Sequence, residues 1–203
     1  MQTIEICPQT IHVFECDSSL LESIKTFVKG ENYSANHHNY SSYDDTHLHK
    51  RDEYKECVKW FDSCLEQVRS LYNYECEKLT ITQMWSNKSE YGNWHHPHTH
   101  SYSMVSGIFY VTESNSKTWF SKQNHWSSLF DPNMPITRTT KDKQVIYKFK
   151  TTPGKLVLFP SHLYHSVDEH YLNEPRYSLS FNTFPSGKIG NHRSLSGLNL
   201  KLD

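Results

Sequence analysis

Residues 93–112 read NWHHPHTHSYSMVSGIFYVT, a histidine-rich run that leads directly into an apolar one. Two of its histidines, His98 and His100, are separated by a single residue. Alternate side chains of an extended segment point to the same side of the backbone, so these two imidazoles would face the same way. Imidazole suits zinc, copper, iron and nickel as a ligand. The run therefore predicts two ligands of one metal ion, placed just before a strand over 102–112.

A third ligand is expected from residues 155–167, KLVLFPSHLYHSV. The apolar part predicts a strand, and Pro160-Ser161 predicts a turn after it. His165 would then begin the next strand, whereas His162 would lie in the turn, where the direction of a side chain is poorly fixed. We predict His165 as the distal ligand and keep His162 as the alternative.

Residues 175–184, PRYSLSFNTF, alternate between polar and apolar side chains. This period of two predicts a strand whose apolar face carries Tyr177, Leu179 and Phe181. The opposite face would carry four polar side chains, those of Arg176, Ser178, Ser180 and Asn182. A guanidinium can bind a carboxylate through two parallel hydrogen bonds, and a serine hydroxyl adds another donor. This face therefore predicts a binding site for a carboxylate ligand near the metal.

The rest of the chain predicts a mainly β protein with flanking helices. Apolar stripes with a helical period predict helices from Ser18 or Ser19, as the N-cap, to Lys29, and over about 50–73. Residues 31–47 predict an irregular loop. Helices followed by many short strands favour a jelly roll, or double-stranded β-helix, with the N-terminal helices packed on one sheet. The predicted strands are one or two within 1–15, then 78–86, 102–112, 117–121, 143–150, 155–160, 164–168 and 175–184.

We expect one domain over residues 1–203. Residues 1–76 would form an N-terminal layer of strands and helices, and 77–185 a jelly-roll core that holds the metal site. Residues 186–203 would be a loose C-terminal tail, or an arm exchanged between the protomers of a homodimer.

Composition and charge narrow the class of protein. Aromatic residues make up 14% of the 203 residues, which favours a folded core. The net charge is −1 and no long basic run occurs, so nucleic-acid binding has no electrostatic support. The five cysteines are odd in number, which argues against a disulfide framework. No basic and apolar leader opens the chain and no apolar run reaches the ~20 residues of a membrane span, so we expect a cytoplasmic protein.

Several of these segments together resemble a family of 2-oxoglutarate/Fe(II) oxygenases that is frequent in phages and marine bacteria. The family is related to the prolyl-hydroxylase-like branch of its superfamily, and the similarity covers about residues 79–185. The segments that carry it are Trp85-Ser-Asn87, the Gly92 region, His98-Thr-His100, Ser106–Val111, Pro153–Ser161, His165-Ser-Val and Glu174–Asn182.

The resemblance implies a role for each matched position. His98 and His165 would be iron ligands, and Arg176, assisted by Ser178, would bind the distal carboxylate of 2-oxoglutarate. Asn87 and Tyr110 would lie on neighbouring strands and face the cofactor pocket. The superfamily's first motif is usually His-x-Asp, whereas this chain has His100 at the third position. His100 would then be the third ligand, or else Asp168, Glu169 or another acid would supply a carboxylate.

The function expected from the resemblance is oxidative decarboxylation of 2-oxoglutarate coupled to hydroxylation of a substrate. His98, His100 and His165 would hold Fe(II), O₂ would be consumed, and ascorbate could assist. The substrate would be a peptide side chain such as proline, or a small molecule, and a phage-encoded protein would act in the host cytoplasm. Two alternatives stay open: a three-histidine cupin-type metalloenzyme that does not use 2-oxoglutarate, and a non-catalytic metal-binding jelly roll.

Overall fold

The computed structural model describes residues 9–121 and 146–202. The helices of this part are α1 (Ser18–Lys29) and α2 (Lys55–Leu71), with 3₁₀ turns at Leu48–Lys50, Asp52–Tyr54 and His192–Ser194. The strands are β1 (His12–Glu15), β2 (Ser34–Asn36), β3 (Asn39–Ser41), β4 (Cys76–Ser89), β5 (His95–His98), β6 (Val105–Tyr110), β7 (Lys117–Ser121), β8 (Ile146–Lys150), β9 (Lys155–Pro160), β10 (Tyr164–Val167), β11 (Arg176–Ile189) and β12 (Leu198–Leu200).

Two antiparallel sheets pack against each other and form the predicted jelly roll. The large sheet has the strand order β1-β9-β6-β11-β4-β3-β2, and β12 adds to β11. The small sheet has the order β5-β10-β7-β8. Apolar side chains from both sheets meet between them, among them Ile108 and Phe159 of the large sheet and Phe120 of the small sheet. The space between the sheets is therefore partly core and partly free to hold a site.

The helices cover the outer face of the large sheet, as the sequence predicts. The buried residues Ile24 of α1 and Phe61 of α2 belong to one apolar cluster with Leu179 and Phe181 of β11. The ring of Phe181 lies so close to β6 that a side chain at Gly107 would collide with it. This packing leaves the other face of β11, the polar one, to look toward the small sheet.

Most predicted strands are confirmed, and two of them, 117–121 and 155–160, have the predicted bounds. The loop predicted over 31–47 is wrong, because β2 and β3 form a hairpin there that pairs with β4. The predicted cap is also wrong, since Asp17 rather than Ser18 or Ser19 accepts the N–H of Leu20. Predicted strand residues 1–8 and 143–145 lie outside the described part.

Several other boundaries differ from the prediction; β4, for example, spans Cys76–Ser89 rather than 78–86. Helix α2 begins at Lys55, after a 3₁₀ turn. Strand β6 begins at Val105, because Tyr102 has φ 56° and the chain turns there. The loose tail predicted over 186–203 is wrong in part, since β11 continues to Ile189 and β12 pairs with its end. Neither described helix is long and apolar enough to cross a membrane.

Candidate metal centre

Strands β5 and β10 bring the histidines of two distant segments together. His98 is directly opposite His165 in this antiparallel pair, and His95 is opposite Val167. Three steps along β5 therefore match two steps along β10, which is a β-bulge at His96-Pro97. Proline suits a bulge because it has no N–H to give to the ladder. The bulge keeps His95 and His98 on one side of the strand, with ring centroids 4.4 Å apart.

The ring nitrogens of His98, His100 and His165 converge on one point. One nitrogen from each ring lies within 4.8 Å of the other two, as shared coordination of an ion requires. The Nε2 atoms of His100 and His165 are 3.3 Å apart. His100 follows the end of β5, and its backbone N–H bonds to the carbonyl of Ser161 at 2.9 Å. The three predicted ligands are therefore in one place; their role as ligands stays a proposal.

Hydrogen bonds orient two of these rings. Nδ1 of His98 is 2.9 Å from the carbonyl oxygen of His96, and Nδ1 of His165 is 2.9 Å from that of Leu163. A carbonyl only accepts, so each Nδ1 carries the proton and each Nε2 keeps its lone pair. This is the tautomer that a metal ligand needs.

Burial keeps the imidazoles neutral. It lowers the pKa of His100 to about 3, with smaller contributions from His98 and His95. It also lowers the pKa of His165 well below the usual value, again with help from the neighbouring histidines. A neutral ring can donate its lone pair to a metal, whereas a protonated one cannot.

Arg176 lies on the facing side of the pocket and is almost fully buried, with 3% of its surface exposed. Its Nε has no hydrogen-bond partner. Its guanidinium carbon lies 5.8 Å from the centre of the Tyr110 ring. In the described residues no ion pair involves Arg176. Burial lowers the pKa of this guanidinium, which nevertheless stays charged at neutral pH.

The histidines and Arg176 open onto one pocket, whose cavity volume is about 50 Å³. Ser178 and Asn87 lie on its wall, and the Asn87 amide donates to Ser180 at 3.0 Å. Tyr110 is not on the wall; it is fully buried behind Arg176, and its hydroxyl donates to Thr118 at 2.9 Å. The lining residues are Asn39, Trp85, Asn87, His95, His98, His100, Ile108, His165, Val167, Arg176, Ser178 and Ser180.

The alternative ligands lie elsewhere. His162 is exposed in the turn before β10. Asp168 pairs with Lys148 at 3.1 Å, and Glu169 is exposed. In the described residues, both groups of three or more side chains placed to share a metal contain only histidines. The fold thus brings His100, and neither of these acids, to His98 and His165.

Two polar residues of the pocket, His95 and Asn39, were not predicted from the sequence. His95 is on the wall because of the bulge, and a regular strand would not have placed it there. Asn39 comes from the hairpin that was predicted as a loop; it is 6% exposed and its Oδ1 has no partner. The histidine run was a signal for the first residue, but nothing in the sequence pointed to the second.

The fold and the site define a jelly-roll protein whose pocket is lined by histidines and a buried arginine, and comparisons with known proteins place it in a class. Residues 83–182 match the profile of a family described as "Putative 2OG-Fe(II) oxygenase". This match covers 100 of the 203 residues, and with the fold it confirms the predicted resemblance, fold and enzyme class, that of a 2-oxoglutarate/Fe(II)-dependent oxygenase. The family's cofactors are those predicted, Fe(II) and 2-oxoglutarate. No curated protein matches the chain in sequence.

Solved structures show the same fold at low sequence identity. The alpha-ketoglutarate-dependent epimerase SnoN from nogalamycin biosynthesis is 11% identical, with TM-score 0.67 over 90% of this chain and 82% of its own. A prolyl-4-hydroxylase from Pseudomonas putida is 12% identical, with TM-score 0.63 over 88% and 94%. HygX from Streptomyces hygroscopicus, solved with nickel and 2-oxoglutarate, is 14% identical, with TM-score 0.63 over 87% and 83%.

Proposed function

We propose that this protein couples oxidative decarboxylation of 2-oxoglutarate to hydroxylation of a C–H bond. In this proposal His98, His100 and His165 hold Fe(II), and Arg176 binds the distal carboxylate of 2-oxoglutarate. The observation that carries the proposal is the buried, unpaired guanidinium of Arg176 in the pocket that the three imidazoles line.

Arg176 is informative because a buried charge without a partner is costly. The effective penalty for burying one ion is several kcal/mol, and a protein normally offsets it with an opposite charge. The described residues supply no carboxylate to Arg176, so a ligand carboxylate is the natural counter-charge. A guanidinium recognises that group through two parallel hydrogen bonds. The free Nε is one donor available for such a pair.

The three imidazoles also fit an iron site with an anionic co-substrate. All three are neutral, so they leave the charge of a divalent ion uncompensated. A negatively charged chelator would therefore be favoured at this centre. Bound iron with 2-oxoglutarate and O₂ supplies the oxidising power for the reaction. The chain's own contribution is to fix three nitrogens and to leave other coordination positions open.

The remaining predicted residues would shape the co-substrate site. The Ser178 hydroxyl is a donor on the same face of β11 as Arg176 and lies on the pocket wall. Asn87 is held by Ser41, which donates to its Oδ1 at 2.8 Å, so its amide is fixed next to Ser180. Tyr110 would not contact the co-substrate itself; its ring would hold the Arg176 guanidinium in place through a cation–π contact. These contacts favour positioning roles in co-substrate binding.

For the substrate we propose a peptide side chain, such as that of proline, or a small molecule. The similarity in fold to a prolyl-4-hydroxylase and to enzymes of small-molecule chemistry supports both classes. A cytoplasmic location, a phage origin, a homodimeric state and the use of ascorbate stay predictions.

The test is succinate formation from 2-oxoglutarate by protein loaded anaerobically with Fe(II) and then exposed to O₂. We expect slow succinate formation without substrate, and its loss in Arg176→Met. His162→Ala is the matched control, because it removes an exposed histidine outside the site. A protein that binds iron but neither binds nor decarboxylates 2-oxoglutarate would contradict the proposal and favour a three-histidine enzyme of another kind.

A further inference from the structure

A second group of histidines lies beside the first and shares one member with it. One ring nitrogen each from His95, His96 and His98 lies within 4.8 Å of the other two, the same spacing as in the first group. The ring centroids of His95 and His96 are 4.8 Å apart, and those of His96 and His98 are 5.4 Å apart. The three rings are half-buried, so an ion from solvent could reach them.

The backbone prepares these rings to act as ligands. Nδ1 of His95 is 3.1 Å from the carbonyl oxygen of His96, the same acceptor that orients His98. Both rings therefore carry the proton on Nδ1 and keep the Nε2 lone pair free. The imidazole of His96 has no hydrogen bond in the part of the chain described; its neighbours are rings, including His37 with its centroid 5.0 Å away. These hydrogen bonds therefore leave the Nε2 atoms of His95 and His98 available to a metal.

We propose that His95, His96 and His98 form a second metal site, one that competes with the iron site for His98. Three imidazoles and no carboxylate suit Zn(II), Ni(II) or Cu(II). Nδ1 of His98 is committed to the His96 carbonyl, so its single free nitrogen can serve only one ion at a time. A zinc ion held here withdraws a ligand from the triad of His98, His100 and His165. This inference goes beyond the proposed function and does not depend on 2-oxoglutarate chemistry.

The test is the number of Zn(II) ions retained, measured by native mass spectrometry with the metal alone. Removing the two unshared ligands of the first group, in His100→Ala/His165→Ala, leaves the second group intact, and this variant should retain one ion. Adding His96→Ala should abolish retention. Adding His162→Ala instead should leave one ion bound, because this exposed histidine belongs to neither group. Circular dichroism and melting curves identify any variant that is unfolded.

Three outcomes would overturn the proposal. The first is a folded double variant that retains no zinc. The second is zinc retention that does not change when His96 is removed. The third is two zinc ions on the unmodified protein, because His98 would then not be limiting. Succinate formation does not enter this test, so failure here leaves the proposed function standing, and a failure of succinate formation leaves this site standing.

A second measurement connects the two sites. Zn(II) is added to the Fe(II)-loaded protein and the retained iron is measured. In His96→Ala the zinc concentration that halves retained iron should rise at least ~10-fold, the lower end of the loss expected when a partner of a metal site is removed. The same concentration in both proteins would mean that zinc displaces iron only at the triad.

Discussion

The two sheets contribute to the pocket in different ways. The small sheet carries His98 on β5 and His165 on β10, strands of four residues each, one of them bulged, and His100 follows the end of β5. The large sheet carries Arg176 and Ser178 on β11, a strand of 14 residues that pairs with β4 along most of its length and with β6 in part. The short, bulged pair of β5 and β10 can adjust the distances between the ligand nitrogens. The long central strand β11 instead holds the charge of Arg176 in one position. Metal binding and carboxylate binding should therefore be separable by mutation.

The largest effect is expected in the small sheet. His98→Ala and His165→Ala should each lower Fe(II) affinity by at least ~100-fold, since loss of an outer partner alone costs about 10–100-fold. Metal analysis after gel filtration measures the retained iron. His162→Ala should retain iron like the unmodified protein, and equal iron in all three variants would contradict the triad.

The next effect tests the large sheet. Arg176→Met should weaken 2-oxoglutarate binding about 10–100-fold, because a hydrogen bond to a charged group contributes about 1.5–3 kcal/mol. Iron affinity without 2-oxoglutarate should not change. Titration calorimetry with 2-oxoglutarate on Ni(II)-loaded protein measures the first quantity. Equal losses of iron and 2-oxoglutarate would mean that Arg176 supports the fold instead of the ligand.

The Arg176→Met variant also tests whether the guanidinium stabilises the fold in the absence of ligand. Without ligand, Arg176→Met should melt at the same temperature as the unmodified protein or higher, because it removes a buried charge and keeps a similar volume. A large drop in melting temperature would show that the guanidinium has a structural partner.

A smaller effect is expected in the pH dependence of the free energy of unfolding, to which the buried histidines of the pocket contribute. Burial, followed by the charge of His98, lowers the pKa of His95 to about 4 and that of His100 to about 3. Unfolded imidazoles have a pKa of about 6.5, so the unfolded chain binds more protons below that pH, and stability falls as pH falls from ~6.5 to ~4. We expect a loss of about 1–2 kcal/mol per group between pH 7 and pH 5 in metal-free protein. His100→Asn should reduce this slope in urea unfolding; an unchanged slope would contradict the neutral, buried state of His100.

The smallest effect is expected for His100→Asp. If residue 100 is a ligand, a carboxylate there should keep iron bound or bind it more tightly, because it offsets part of the charge that three imidazoles leave. Retained iron measures this. Loss of all iron in a folded His100→Asp protein would count against His100 as a ligand.

The sequence predicted the features that depend on local periodicity. The alternation along β11 placed Leu179 and Phe181 in the core and Arg176 on the pocket side, since side chains in a strand alternate. The turn at Pro160-Ser161 explains why His165, rather than the exposed His162, reaches the pocket.

Features that depend on pairing between strands could not be predicted. The hairpin of β2 and β3 is polar and short, and it joins the large sheet through the pairing of β3 with β4. Asn39 reaches the pocket because β3 pairs with β4, and no periodic pattern in the sequence predicted its position. The position of His95 depends on a register shift against β10, which the sequence of β5 alone does not contain.

Because of the bulge at His96-Pro97, the side chains of His95 and His98 face the same way although two residues lie between them. Removing one residue between His95 and His98 would leave these two rings two positions apart in a regular ladder, still on one side. Relatives can therefore differ by one residue here and keep the same ligand orientation. Loss of Pro97 would keep these two rings on one side, whereas loss of Thr99 would turn His98 and His100 to opposite sides of the segment.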